Sequence, residues 1–159
     1  LELNIDFLIK NNLINFNQIV MKTGIFKQIN EEKNNGFISI SLYSSNNDFV
    51  NCEYRSLAPN WKLYEDLKLK KISEENFISN YNEQLDSLNP NTVFEDLNSL
   101  VSGYEPILMT DGPKKKFCHR HLVAEWLEKN LDVIVEEYKI GRVLRKNGTM
   151  KKFENPTLF

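Results

Sequence analysis

The stretch EPILMTDGPKKKFCHRH, from Glu105 to His121, decides the fold. It predicts a buried strand, a turn at Asp111-Gly112-Pro113 and then the opening of a helix. In open α/β folds, ligands bind where strand ends feed helix N-termini. This junction holds both histidines, one of the two cysteines, an arginine and three consecutive lysines. It is therefore the best candidate for a functional site.

Length and composition indicate one ordinary soluble domain. The chain has 159 residues, of which 41% are hydrophobic and 26% charged. No apolar run approaches the roughly 20 residues of a membrane helix, and the first residues lack a signal-peptide pattern. We therefore expect a cytoplasmic protein without a membrane partner. A net charge of −2 argues against a general nucleic-acid coat.

The cysteine count and the absence of known cofactor motifs argue against several classes of cofactor and metal site. Cys52 and Cys118 are too few for a disulfide scaffold and lack zinc-knuckle spacing, so we expect two reduced thiols and no metal. No dinucleotide-binding, Walker or serine-hydrolase motif occurs, and no cofactor is predicted. The abundance of Asn, Lys and Ile hints at an AT-rich coding genome, bacterial or viral, which is consistent with a phage protein.

Hydrophobic periodicity predicts an α/β succession along residues 1–138. Strands are expected over residues 16–22, 37–43 and 132–138, in addition to the central one. Helices are expected over residues 1–13, from Trp61, from the N-caps Ser73 and Asn89, and over residues 117–130. Residues 139–159 form a basic extension that turns as a β-hairpin at Asn147-Gly148. This ribbon is equally consistent with a dimer arm, and therefore with a homo-oligomer.

Cys118 is the candidate nucleophile. A helix N-terminus stabilises negative charge, and with His119 and Arg120 beside it the thiol pKa falls from about 8.5 toward neutrality. One histidine then serves as the base. Packing of Cys118 as a small buried residue remains an equal alternative, and each histidine is alternatively a capping or core-edge residue.

The same junction suits an anion. The helix amides, Arg120 and the lysines, Lys116 among them, would hold a phosphate or carboxylate. Alternatively the lysines are solvated and Arg120 forms a structural salt bridge with Asp111 or Glu125. His119 and His121 lie about 200° apart on a helix and are unsuited to chelating one metal.

The remaining candidates surround this junction. Asp111 either orients a histidine or binds a ribose hydroxyl, or serves only its turn. The loop after residues 37–43 should open on the same sheet edge. The aromatic side chains of Tyr54 and Trp61 offer stacking surfaces for a base, although tryptophans are more often core residues. The further predicted ligand-binding residues are Thr110, Tyr43, Ser44, Tyr54 and Trp61.

Three segments resemble the domain-of-unknown-function 488 family in order and spacing, namely Phe37–Tyr43, Leu57–Trp61 and Phe117–Leu127. The resemblance spans residues 18–138, and its most specific piece is Cys118-His119-Arg120 followed by an Ala-Glu-Trp-Leu helix. It implies a small Rossmann-like, three-layer α/β domain with a mostly parallel sheet, and no assigned activity. Many relatives carry Cys-Tyr-Glu at the end of the central strand. This chain has Met109-Thr110-Asp111, which weakens a two-cysteine hypothesis.

These observations rank three functions. The first is binding of a small anionic ligand, nucleotide-like or phosphorylated, as in a ligand-sequestering protein. The second is a cysteine-dependent hydrolase or transferase acting on a nucleotide-like substrate, with Cys118 as nucleophile and His119 as base. The third is nucleic-acid binding through the basic hairpin, with Tyr138 and Phe153 as stacking partners. The sequence leaves open whether the protein is an enzyme.

Overall fold

The computed structural model describes residues 19–31 and 33–152. Its strands are β1 (Ile19–Ile25), β2 (Phe37–Ser39), β3 (Cys52–Glu53), β4 (Ile107–Thr110), β5 (Val133–Glu137), β6 (Val143–Lys146) and β7 (Thr149–Lys152). Its helices are α1 (Trp61–Lys68), α2 (Glu74–Asp86), α3 (Pro90–Leu100) and α4 (His119–Asn130). The helix predicted over residues 1–13 and the stacking residue Phe153 lie outside the described residues.

Five strands form one parallel sheet in the order β3-β2-β4-β1-β5. β4 lies at its centre, where Leu108 pairs with Thr23 of β1 and with Ile38 of β2. The connections from β3 to β4 and from β4 to β5 cross over and contain the four helices, whereas, within the described residues, the parallel neighbours β2 and β3 are joined by a loop without an α-helix. The predicted α/β class with a mostly parallel sheet is confirmed.

Two strand boundaries differ from the prediction. β1 continues to Ile25, three residues beyond the predicted end. β2 ends at Ser39 although strand-forming residues continue to Tyr43. The Ile40 amide still donates to the Met109 carbonyl, at 2.9 Å, but the chain then turns away at the carboxyl edge. Pattern alone does not reveal where tertiary pairing stops.

Side chains at the predicted N-caps begin two helices. The Ser73 hydroxyl accepts a hydrogen bond from the Asn76 amide at 3.1 Å, and the Asn89 side chain accepts one from the Thr92 amide at 3.0 Å. Each such cap stabilises its helix by about 1 kcal/mol. These two predictions are confirmed because a cap is a local contact within four residues.

The helices cover one face of the sheet. The main core cluster unites strand residues such as Met21 and Leu108 with Phe77, Leu97 and Leu127 of α2, α3 and α4. A second cluster lies on the other face of the sheet. In it, Ile29 and Tyr138 pack against the strand residues Phe37, Ile107 and Met109. Strands buried on both faces explain the continuous apolar run of β4.

The hairpin predicted at Asn147-Gly148 is present as β6 and β7. Both turn residues have positive φ, 52° for Asn147 and 75° for Gly148, as a type I′ turn requires. The Gly148 carbonyl accepts a hydrogen bond from the Cys118 amide at 2.8 Å. The turn is therefore docked on the junction that leads into α4. None of the helices described here has the length and apolar character needed to cross a membrane.

Candidate functional site: a cysteine and a histidine at the start of a helix

Cys118 lies at the N-cap of α4, beyond the carboxyl end of the central strand. The side chain is 5% exposed and lines a cleft of about 140 Å³. The cleft walls are mostly apolar and aromatic, with one carboxylate; they comprise Leu42, Tyr43, Tyr64, Leu67, Phe77, Asp111, Gly112, Pro113, Phe117 and His119. The thiol is thus nearly buried and lines a small cleft at the sheet edge.

The Cys118 thiol has an unusually low pKa. Burial by itself raises this pKa, but the hydrogen bond and charge of His119, the charge of Arg120 and the hydrogen bond of Thr110 lower it from 9.0 to about 6. The Thr110 hydroxyl lies 3.3 Å from Sγ. No side-chain cap hydrogen bond occupies the N-terminus of α4, whose dipole also favours a negative sulfur. These interactions together favour the thiolate over the thiol.

His119 is held in a fixed orientation. Its Nε2 lies 2.9 Å from the Ile40 carbonyl oxygen, and because a carbonyl only accepts, Nε2 is the donor. The Tyr81 ring packs against the imidazole edge to face, with centroids 5.8 Å apart. The other ring nitrogen, Nδ1, is then available to the thiol. A cysteine and a histidine in this relation can exchange a proton.

Gly112 allows the backbone to approach the sulfur. A Cβ at this position would overlap Cys118 Sγ and crowd its Cβ. No positive φ is involved, so the requirement is steric rather than conformational. The Asp-Gly-Pro turn consequently has a second role, which is to close one side of the thiol site.

Arg120 lies in the core, with 0% exposure. Its Nε and Nη2 donate to Glu137 Oε2 at 3.0 and 2.7 Å, and its Nη1 donates to the Pro113 carbonyl at 3.0 Å. The salt-bridge partner is Glu137, not Asp111 or Glu125 as the sequence suggested. The guanidinium therefore holds the Asp-Gly-Pro turn through the Pro113 carbonyl. Its positive charge also lowers the pKa of the Cys118 thiol.

Sequence reasoning missed Glu137 and Arg145. Arg145 belongs to the hairpin, yet its side chain is 2% exposed. It donates to the Val135 carbonyl at 2.6 Å, to Thr23 Oγ1 at 2.8 Å and to His121 Nδ1 at 3.1 Å. The only sequence signal was a carboxylate in a buried strand position, at Glu137, which requires a buried cation.

His121 is buried and stays neutral. Burial, followed by the charges of Arg120, Arg145 and His119, lowers its pKa from 6.5 to about 2. The two histidines face different neighbours, Ile40 for one and Arg145 for the other. Within the described ranges, no three His, Cys, Asp or Glu side chains are grouped as metal ligands.

The other predicted ligand-binding residues are dispersed. Tyr43 and Asp111 line the cleft; Tyr43 donates to Glu65 at 2.8 Å, and Asp111 accepts from Ser41 at 3.1 Å. Thr110 is buried beside the thiol, and Lys116 is exposed in the turn. Three residues lie away from the cleft lining: Ser44 accepts from Arg55, Tyr54 donates to Asp96, and Trp61 is 62% exposed at the start of α1.

The fold and this junction define the class: an α/β domain with a parallel sheet and a buried cysteine of lowered pKa at a strand-to-helix edge. A family model described as the active DUF488-N3 subclade, DUF488-N3a, matches residues 32–131. The chain therefore belongs to the DUF488 family, and the match is shorter than the resemblance seen over residues 18–138. No curated protein and no solved structure matches the chain.

Proposed function

We propose that the protein is a cysteine-dependent hydrolase or transferase, with Cys118 as nucleophile and His119 as proton carrier. The observation that supports this most is the buried thiol that lines a cleft and whose pKa is lowered to about 6. Structural cysteines in apolar surroundings have raised pKa values instead. The description of the family as an active subclade agrees with an enzyme.

The first chemical step is attack by Cys118 Sγ on an electrophilic carbon of the substrate. The Sγ–C bond forms as the bond from carbon to the leaving group breaks. His119 gives its proton to the leaving group, which departs neutral. The positive end of α4 and the Thr110 hydroxyl, 3.3 Å from Sγ, stabilise the thiolate before attack.

The second step regenerates the thiolate. His119 removes a proton from water or from an acceptor hydroxyl, whose oxygen attacks the same carbon. The new O–C bond forms and the Sγ–C bond breaks, so no oxidant, reductant or metal is consumed. Water as acceptor makes the protein a hydrolase, and an alcohol makes it a transferase.

The cleft lining favours a planar group. Tyr43 and Tyr64 are in edge-to-face contact at 6.0 Å, and Phe77 and Phe117 are in the same relation at 5.4 Å. Aromatic walls of this kind suit a heterocyclic ring, which is consistent with a nucleotide-like substrate. Binding without turnover, the function ranked first from the sequence, placed the anion on Arg120 together with the helix amides and the lysines. The Arg120 guanidinium is instead engaged by Glu137, which weakens that function.

Trapping of a covalent intermediate tests the proposal. Nucleosides, nucleotides and their acyl or glycosyl derivatives would be incubated with wild-type protein, Cys118→Ser and the matched control Cys52→Ser. We expect turnover of at least one compound, with a mass adduct on Cys118, in the wild-type and Cys52→Ser proteins only. Turnover that survives in Cys118→Ser would refute the nucleophile.

A further inference from the structure

A second cavity shares a wall with the Cys118 cleft. Its volume is about 780 Å³, and it opens beyond the carboxyl ends of β1, β4 and β5. Asp111, Gly112 and Pro113 line both cavities, so the turn after β4 is the ridge between them. A molecule lying across this ridge would contact the thiol cleft at one end and the larger cavity at the other.

The larger cavity is basic. Its charged lining residues are Lys27, Lys114, Lys139 and Asp111, which leaves a net charge of +2. Lys27 and Lys114 are exposed, and in the part of the chain that the structure describes no carboxylate lies within ion-pair distance of either ammonium. The Lys139 ammonium lies 5.5 Å from the centroid of the Tyr138 ring.

The backbone that carries Lys27 is anchored. Gln28, the next residue, accepts a hydrogen bond from the Ile25 amide at 2.8 Å and donates to the Tyr138 carbonyl at 2.9 Å. These bonds tie the turn after β1 to the segment after β5. The backbone positions of Lys27 and Lys139 are therefore held relative to one another.

Positive charge continues beyond this cavity. A neighbouring cavity of about 690 Å³ shares Lys114 and Lys139 with it and adds Lys115 and Lys152 from the turn and the hairpin. Its lining contains no acidic residue. The basic surface thus extends away from the cleft toward β7.

We propose that the 780 Å³ cavity binds the phosphate of a small substrate whose reacting carbon lies in the Cys118 cleft; this substrate assignment rests on the proposed function. The cleft alone, at about 140 Å³, is smaller than the roughly 300 Å³ of ordinary ligand sites and needs a neighbouring subsite. A net charge of +2 matches a phosphomonoester, which carries about −1.5 to −2 at pH 7. Lysine is a common phosphate ligand.

Calorimetric titration with pyrophosphate and with AMP tests this subsite. The proteins compared are the wild type, the double variant Lys27→Met/Lys114→Met, and a matched double variant, Lys71→Met/Lys129→Met. The control lysines are exposed and line neither basic cavity. We expect the first double variant to bind both probes about tenfold more weakly, and the control within about twofold of the wild type.

Titrations with two further probes distinguish a phosphate ligand from other anions and from nucleic acid. Malonate, a dianion without phosphate, should bind more weakly than pyrophosphate, and equal binding would overturn the assignment to phosphate. A short single-stranded oligonucleotide that binds far more tightly than AMP would overturn a small substrate. Absence of pyrophosphate binding to the wild type, or unchanged binding to Lys27→Met/Lys114→Met, would overturn the subsite itself.

Cys118→Ser separates this proposal from the catalytic one. The variant should keep lysine-dependent pyrophosphate binding, because Cys118 is not part of the 780 Å³ cavity. Phosphate binding together with an inert Cys118 would refute catalysis and leave the subsite standing. A reactive Cys118 without phosphate binding would refute the subsite alone.

Discussion

Replacement of His119 by glutamine should suppress the reactivity of Cys118 at neutral pH. The variant keeps an N–H that can reach the Ile40 carbonyl, which lies 2.9 Å from His119 Nε2, but it loses the imidazole whose hydrogen bond and charge act on the thiol. Burial raises the pKa of the Cys118 thiol, and the hydrogen bond and charge of His119 are the largest effects that lower it to about 6. Without them, the effect of burial on the thiol pKa is opposed by Arg120, Thr110 and the dipole of α4.

The expected effect is large. A shift from 9.0 to about 6 corresponds to about 4 kcal/mol in favour of the thiolate. At pH 7 about nine thiols in ten are then ionised, against about one in a hundred for a pKa of 9. We expect the pKa of Cys118 in His119→Gln to exceed about 8, which lowers the thiolate fraction at pH 7 at least about tenfold.

The assay is the rate of iodoacetamide alkylation between about pH 4.5 and pH 9.5, measured on a Cys52→Ser background. Tyr64→Phe is a matched control, because it alters another residue of the cleft wall without removing a positive charge. Its alkylation midpoint should equal that of the parent. A parent midpoint at or above about 8.5, or an unchanged midpoint in His119→Gln, would refute the reasoning.

Three further predictions concern the buried polar groups and the turn. Glu137→Gln should lower the free energy of unfolding, measured in urea, by about 3–5 kcal/mol, because two buried arginines lose their carboxylate. The control Glu53→Gln, at an exposed pair, should lower it by less than about 1 kcal/mol. Equal losses in the two variants would contradict the prediction. Gly112→Ala should slow Cys118 alkylation by about tenfold or more by displacing Sγ, whereas an unchanged rate would show that the sulfur is free to shift. The free energy of unfolding should fall as the pH drops below about 6.5, because the pKa of His121 is about 2 in the folded chain and the unfolded chain takes up the proton first. In a plot of unfolding free energy against pH, His121→Asn should remove the part of the slope that His121 contributes.

Much of the fold could be predicted because its signals are local. The caps Ser73 and Asn89 act within three residues, and the Asn147-Gly148 turn acts between adjacent strands. The apolar run of β4 predicted a buried strand, and all four of its residues are buried. Each of these needs only a few neighbouring residues to be recognised.

The candidate site was predictable only in part. The position of Cys118 at the start of α4, with His119 beside it, follows from helix-start signals. The burial of Arg120 does not, because a guanidinium is buried only where a buried partner neutralises it, and the neighbouring residues do not reveal that partner. Its burial depends on Glu137, which is 17 residues away in sequence.

The α/β class, the helix caps, the hairpin turn and the strand-to-helix junction proposed as the functional site could be predicted from the residues alone, since those depend on spacing and on neighbouring residues. The mostly parallel sheet was expected from the family resemblance. Tertiary structure alone decided that Arg145 of the hairpin enters the core, that Trp61 is exposed and that lysines from separate segments share a cavity. The physical reason is that charge pairing, burial and cavity shape arise between segments distant in sequence, where only packing selects one partner among several.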